Sequence, residues 1–242
     1  MSRLPKRLEA ATATLCERVD GLSFGPPVAR VYNPLRYARE VWDTYLARFA
    51  SGRKRILFLG MNPGPWGMAQ TGIPFGEIAA VRDWMGLRGR VDRPAAEHPR
   101  RPVEGFACTR SEVSGRRLWG LMAERFGTPE RFFAEHFVAN YCPLVFMTET
   151  GRNLTPDKLP ATERDPLFAP CNDFLRAIVD ELMPDYVIGV GKFAAERARS
   201  ALEGANRRPD VASILHPSPA SPAANRDWAG QASARLIELG LW

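Results

Sequence analysis

The sequence predicts an α/β fold: a three-layer α/β/α sandwich around a central four-stranded parallel sheet. Three observations carry this. Four short apolar runs recur along the chain, in RILFLG, FVANYCPLVF, YVIGVG and VASILHP. Segments of helical periodicity stand between them, and strand–helix–strand alternation calls for parallel pairing with helices on both faces. The 242 residues, 45% of them hydrophobic, can bury a substantial core. No repeat, low-complexity tract or linker divides them, so residues 1–242 read as one domain.

Taken in order, Leu4, Leu8, Ala11, Leu15 and Val19 recur every three or four residues and predict an amphipathic first helix. A second is expected from about Leu35 to Ala50, burying Ala38, Trp42, Tyr45 and Phe49. The run before Gly60 suits a strand covered on both faces. Arg88 to Arg110 carries the weakest regular pattern. SGRRLWGLMAERFG predicts a helix with Ser114 as N-cap and Gly127 as its stop. A strand starts at Phe137 and is broken by Pro143. NDFLRAIVDELMP is a helix ending at Pro184. The strand Tyr186–Gly191, the helix KFAAERARSALEG, the strand Val211–Pro217 and a helix from about Pro222 to Leu239 complete the chain.

Composition narrows the function. Lys and Arg number 33 against 27 Asp and Glu, so 33 − 27 gives a net charge of +6. From Arg82 to Arg117 there are nine arginines and five acids. Either a solvated loop or a phosphate-facing patch fits that excess. Cys16, Cys108, Cys142 and Cys171 are at least 29 residues apart. That spacing points to buried reduced thiols rather than a disulfide framework or a metal cluster. His98, His136 and His216 show no ligand spacing, and no metal or cofactor is expected. The first residues form neither a secretion signal nor a membrane span, which predicts a cytoplasmic protein, or a nuclear one in a eukaryote.

In sheets of this kind the site lies beyond the carboxyl ends of the strands. The Gly60 loop, the Asn140 segment, the Gly189–Lys192 turn and the His216 segment leave those ends. Gly60 to Gly76, GMNPGPWGMAQTGIPFG, holds five glycines and three prolines in 17 residues. Such a stretch is stiff and lets a ligand approach backbone closely. HPSPASPAAN, His216 to Asn225, is stiffened by Pro217, Pro219 and Pro222. Lys192 opens a helix after GVG, where it is either a surface lysine or a phosphate ligand. GVGKFA also fits a loose dinucleotide fingerprint, without an acidic ribose ligand at the usual distance.

These motifs, with NYCPLVFMTETGRNLTP from Asn140 to Pro156, resemble the single-strand-selective monofunctional uracil-DNA glycosylase family of the uracil-DNA glycosylase superfamily. The likeness runs from about Leu57 to Trp228. It implies an enzyme that flips uracil out of DNA and hydrolyses its N-glycosidic bond. Asn62 is implied to position the attacking water and His216 to donate to the departing base at O2. Removing such a preorganised donor costs roughly 3–4 kcal/mol. Asn140 is implied to read N3–H and O4, Phe75 to stack on the base from a rim position, and Met61 and Gly64 to line the pocket. The glycine at 64 is implied to leave room beside C5, so that 5-hydroxymethyluracil is accepted too. Pro217, Ser218, Pro219, Ala220 and Ser221 are implied to form the wedge that enters DNA, with Ala220 where the family often has arginine. Trp66 stands in place of a more usual phenylalanine. No lysine stands where a Schiff-base nucleophile would be expected, so strand cleavage is not.

DNA is the expected partner, without a membrane, and the expected state is monomeric. Three alternatives remain open on sequence. One is a superfamily glycosylase for xanthine or hypoxanthine. The others are a dinucleotide-binding enzyme and a nucleic-acid-binding protein without turnover.

Overall fold

The computed structural model describes residues 4–242. The side chains of Leu4 and Pro5 lie outside the described residues, and with them the first position of the predicted apolar stripe. In chain order the elements are α1 (Leu4–Asp20), β1 (Arg30–Tyr32), α2 (Pro34–Tyr37), α3 (Arg39–Phe49), β2 (Ile56–Gly60) and α4 (Met68–Thr71). Then follow α5 (Val113–Phe126), α6 (Pro129–Glu135), β3 (His136–Asn140), β4 (Val145–Met147) and β5 (Asn153–Leu154). The chain ends with α7 (Ala161–Leu182), β6 (Tyr186–Val190), α8 (Lys192–Leu202), β7 (Asp210–Ile214) and α9 (Pro222–Glu238).

The central sheet has four strands in the order β3-β2-β6-β7, all parallel. Every residue of β2 and of β3 is buried. That is why ILFLG reads as a continuous apolar run instead of an alternating one. Helices flank the sheet: α8 packs on β6 and β7, α7 packs on α1 and α8, and α5 packs on α6 and α9. Register sets the site. Gly60 is the partner of Asn140 across β2 and β3, so the Asn62 loop and the Asn140 segment leave the sheet side by side. No helix among the described residues is long and apolar enough to cross a membrane.

Several boundaries differ from expectation. The helix predicted over Leu35–Ala50 is divided at Ala38, whose backbone (φ −110°, ψ 30°) is not helical. The four apolar residues expected on its inner face are all buried. Ser114 is not the N-cap of α5. The helix starts at Val113, and Glu112 holds the cap position without a side-chain cap bond. Gly127 ends that helix in the left-handed region (φ 73°), as predicted. The helix ending before Pro184 begins eleven residues earlier than Asn172 suggests, at Ala161, with Pro166 and Pro170 inside it.

A second sheet, β1-β4-β5, is antiparallel, and its two- and three-residue strands are too short to leave a periodic signal. Arg88–Arg110 is irregular, as expected, apart from one turn of 3-10 helix at Gly105–Ala107 and a bridge between His98 and Arg101. It is not loose. The Tyr32 hydroxyl accepts from the His98 N–H and donates to the Arg101 carbonyl. The Gln70 amide nitrogen donates to the Pro65 and Pro102 carbonyls, and its oxygen accepts from the Glu104 and Gly105 N–H groups. One buried side chain thus ties this loop to the Asn62 loop.

Candidate active site

Beyond the carboxyl ends of the parallel strands lies a cavity of about 670 Å³, within the range of small-molecule sites. Asn62, Phe75, Asn140 and His216 all line it, together with Met61 and Gly64. Four side chains from three segments, separated by as much as 154 positions in sequence, therefore meet at one place.

Each side chain is held by its surroundings. The Asn62 amide nitrogen donates to the Leu144 carbonyl at 3.1 Å. With the nitrogen committed, Oδ1 has no partner among the described residues and is left to accept from a bound molecule. Asn140, buried at the end of β3, directs its nitrogen at the Met68 sulfur. Its Oδ1 occupies the space a side chain at Gly60 would fill. A Cβ there would stand 2.1 Å from Asn140 Oδ1 and 2.7 Å from the Phe75 ring. Gly60 is thus required by close approach, at a normal backbone conformation.

Phe75 adopts φ 54°, a left-handed conformation that costs a non-glycine residue roughly 1–3 kcal/mol. The Trp119 indole N–H and the Glu77 N–H both donate to its carbonyl and hold it there. Its ring is not at the rim. It is buried at 8% exposure, with its centroid 6.2 Å from that of His216. The rim expectation rested on the flanking Pro74 and Gly76, but Gly76 instead makes room for the Thr71 hydroxyl.

His216 Nδ1 accepts the Ser218 backbone N–H at 3.1 Å. The neutral ring must then carry its proton on Nε2. Burial pushes the imidazole down to about 4, so the ring is neutral near pH 7. Behind it, Gly191 (φ 100°) approaches so closely that a Cβ would lie 3.2 Å from His216 Cβ. Gly189 is closer still to α8, since a Cβ there would lie 2.4 Å from the Ala195 backbone nitrogen. The glycines of GVGKFA therefore seat α8 and His216, which accounts for them without a dinucleotide.

The loop after His216 is braced. Arg117 donates to the Pro217 carbonyl and to Asn225 Oδ1, and Asn225 donates to the Pro219 carbonyl. The Ser218 hydroxyl accepts from the Ala220 N–H, and Ser221 caps α9. Ser218, Pro219, Ala220 and Ser221 border the cavity, with Pro219 and Ala220 exposed. Pro217 is a correction: it is buried and does not border the cavity, which leaves its side chain out of the exposed tip. Lys192 is exposed at the start of α8 and does not border the cavity.

Other residues went unnoticed in the sequence. Glu112, 48 positions after Gly64, lines the cavity. It also overturns the idea of open space beside Gly64. A Cβ on Gly64 would stand 1.9 Å from Glu112 Oε1, and one on Gly67 would stand 2.1 Å from Oε2. The room left by two glycines is filled by one carboxyl group. Asn153 and Thr155 line the far wall. At the mouth, the guanidinium groups of Arg101 and Arg110 lie 5.1 and 4.5 Å from the centre of the Trp66 ring. Within the arginine-rich stretch, Arg82, Arg90 and Arg93 are paired with nearby acids.

Comparison with known proteins agrees with this geometry. The family model described as the uracil DNA glycosylase superfamily matches residues 47–236. The single-strand selective monofunctional uracil-DNA glycosylase of Rattus norvegicus is 51% identical over 220 residues, 91% of this chain and 79% of the rat protein. The Bos taurus protein of the same description is 50% identical over 91% of this chain and 81% of its own length. A crystal structure of Pedobacter heparinus SMUG2 superposes with a TM-score of 0.67, at 15% identity, over 95% of this chain and 97% of that one, a likeness of fold. Matched along most of its length and half identical to these mammalian proteins, the chain belongs to the single-strand-selective monofunctional family of the uracil-DNA glycosylase superfamily.

Proposed function

We propose that this protein is a monofunctional DNA glycosylase that extracts uracil from DNA and hydrolyses its N-glycosidic bond, leaving an abasic site. The observation that carries the reading is the convergence of Asn62, Phe75, Asn140 and His216 on one cavity. Phe75 stacks on the flipped base, a contact worth about 1–3 kcal/mol. The Asn140 amide accepts from N3–H and donates to O4. Cytosine inverts both partners and is rejected, because buried polar groups are then left unpaired.

Catalysis follows from what the two remaining side chains can do. An amide is too weak a base to deprotonate water, so Asn62 Oδ1 orients it. The glycosidic bond then breaks largely before water adds, and charge develops on the departing base. His216 Nε2–H donates to O2 and stabilises that anion without giving up its proton. No lysine is among the described residues that line the cavity, which fits release without strand cleavage. The mammalian relatives are named for single-strand selectivity, and the small exposed Ala220 at the tip of the His216 loop suits the same preference here.

The test is release of uracil from labelled single- and double-stranded oligonucleotides, read as strand breaks after alkali. Wild type produces alkali-dependent breaks, and Asn62→Ala falls by about two to three orders of magnitude. Breaks without alkali, or equal rates for the two proteins, overturn the reading.

A further inference from the structure

Glu112 is the one carboxylate among the described residues that line the cavity. It stands at the cap position of α5 but caps nothing, because its oxygens lie against Gly64 and Gly67. Among the described residues no cation stands against it. Burial, and then the charge of Glu77, push the carboxyl up to about 7. A half-buried acid at a ligand site, held neither by a cap bond nor by an ion pair, is a group waiting for a partner.

The other polar groups leave one edge of the base for it. With His216 at O2 and Asn140 at N3 and O4, and N1 leading to the sugar, only the C5–C6 edge is uncommitted. In uracil that edge carries C–H bonds alone, which offer a carboxyl nothing. A hydroxymethyl group at C5 offers both a donor and an acceptor. A methyl offers neither and leaves the carboxyl unpaired. A carboxylate at C5 would meet a like charge.

The geometry points to Glu112 as the residue that reads the pyrimidine C5 substituent, admitting a small hydrogen-bonding group such as hydroxymethyl and opposing an anionic one. This rests on the uracil-excision reading above. The interaction is non-covalent and selects by leaving polar groups unpaired or repelled when the wrong substituent arrives.

The experiment measures single-turnover release of uracil, 5-hydroxymethyluracil and 5-carboxyuracil from one oligonucleotide sequence, at a pH above the carboxyl's titration near 7. Wild type, Glu112→Ala and Glu112→Gln are compared, the glutamine variant preserving side-chain volume should the alanine variant fold poorly. In Glu112→Ala the hydroxymethyluracil-to-uracil rate ratio falls about tenfold. In Glu112→Gln that ratio is retained, and 5-carboxyuracil gains about tenfold relative to uracil as the repulsion is removed. A hydroxymethyluracil-to-uracil ratio in Glu112→Ala equal to that of wild type overturns the inference. So does a glutamine variant that treats 5-carboxyuracil as wild type does. Failure of wild type to release uracil would instead overturn the glycosylase reading, so the two failures are distinguishable.

Discussion

The Ser218 backbone N–H donates to His216 Nδ1, and this one bond decides which nitrogen of the ring can face a substrate. A neutral imidazole accepting at Nδ1 carries hydrogen at Nε2 and is a donor there. Nitrogen-detected NMR should therefore find the Nε2–H tautomer, with the ring titrating near 4. His216→Leu, which cannot donate, should lower the single-turnover rate by about two to three orders of magnitude. Stability carries the same signature. The ring's folded value lies below its ordinary 6.5, so its contribution is fully present above 6.5 and is lost as pH falls toward 4. A ring found charged at neutral pH would remove this account of His216.

Gly60 is one of the tightest points of the site. Gly60→Ala would drive a methyl group into Asn140 Oδ1 and the Phe75 ring at once. Both side chains must move, and both belong to the proposed base pocket. The variant should lose at least about tenfold in uracil release, with a destabilisation of about 1–3 kcal/mol from overpacking. Thermal melting and single-turnover kinetics check the two effects separately. An unchanged rate would mean that Asn140 and Phe75 do not act together on the base.

Glu112 predicts a pH dependence of opposite sign to that of His216. Its folded value, about 7, lies above the ordinary 4.5. The stability it contributes is therefore fully present below 4.5 and lost as pH rises through about 7. Glu112→Gln keeps the shape and cannot ionise. It should match wild type in acid and exceed it above neutrality, by about 1–2 kcal/mol once solvent screening is allowed for. Melting curves across that range decide it, and parallel curves at every pH would show that the carboxyl is solvated in the folded protein.

Much of this was legible in the sequence, and the exceptions have physical causes. Ile56–Gly60 and Tyr186–Val190 sit in a parallel sheet covered on both faces, so they appear as unbroken apolar runs. Asn62 and His216 stand where such runs stop, each next to a proline, and Asn140 stands three residues before Pro143, so the three could be placed on one rim. Glu112 could not. A glutamate at a helix start is ordinary, and its meaning lies in contact with two glycines more than forty residues earlier. The glycines at 64 and 67 did leave a trace, since paired gaps imply a neighbour that fills them. Their sequence cannot say which neighbour. Pro217 misled for a similar reason. In HPSP the two prolines look equivalent, but the chain buries the first and exposes the second.

The tip of the His216 loop offers the last prediction. Ala220 is exposed, and the loop beneath it is braced by Ser218, Arg117 and Asn225. A rigid tip bearing a methyl group can approach the gap left by a flipped nucleotide but fills little of it. In a duplex the unpaired partner strand competes to take the base back, whereas a single strand offers no such competitor. Ala220→Arg adds a long cation that can occupy the gap and meet phosphate. The ratio of duplex to single-strand rates should rise about tenfold, which corresponds to ~1.4 kcal/mol. Adding Arg117→Ala removes the bonds to Pro217 and Asn225, so the brace loosens and most of that gain should disappear. Matched single-turnover assays on the two substrates give the ratio directly. If Ala220→Arg raised both rates equally, the added charge would be acting as a general DNA attractant, and the loop would not be the element that holds a duplex open.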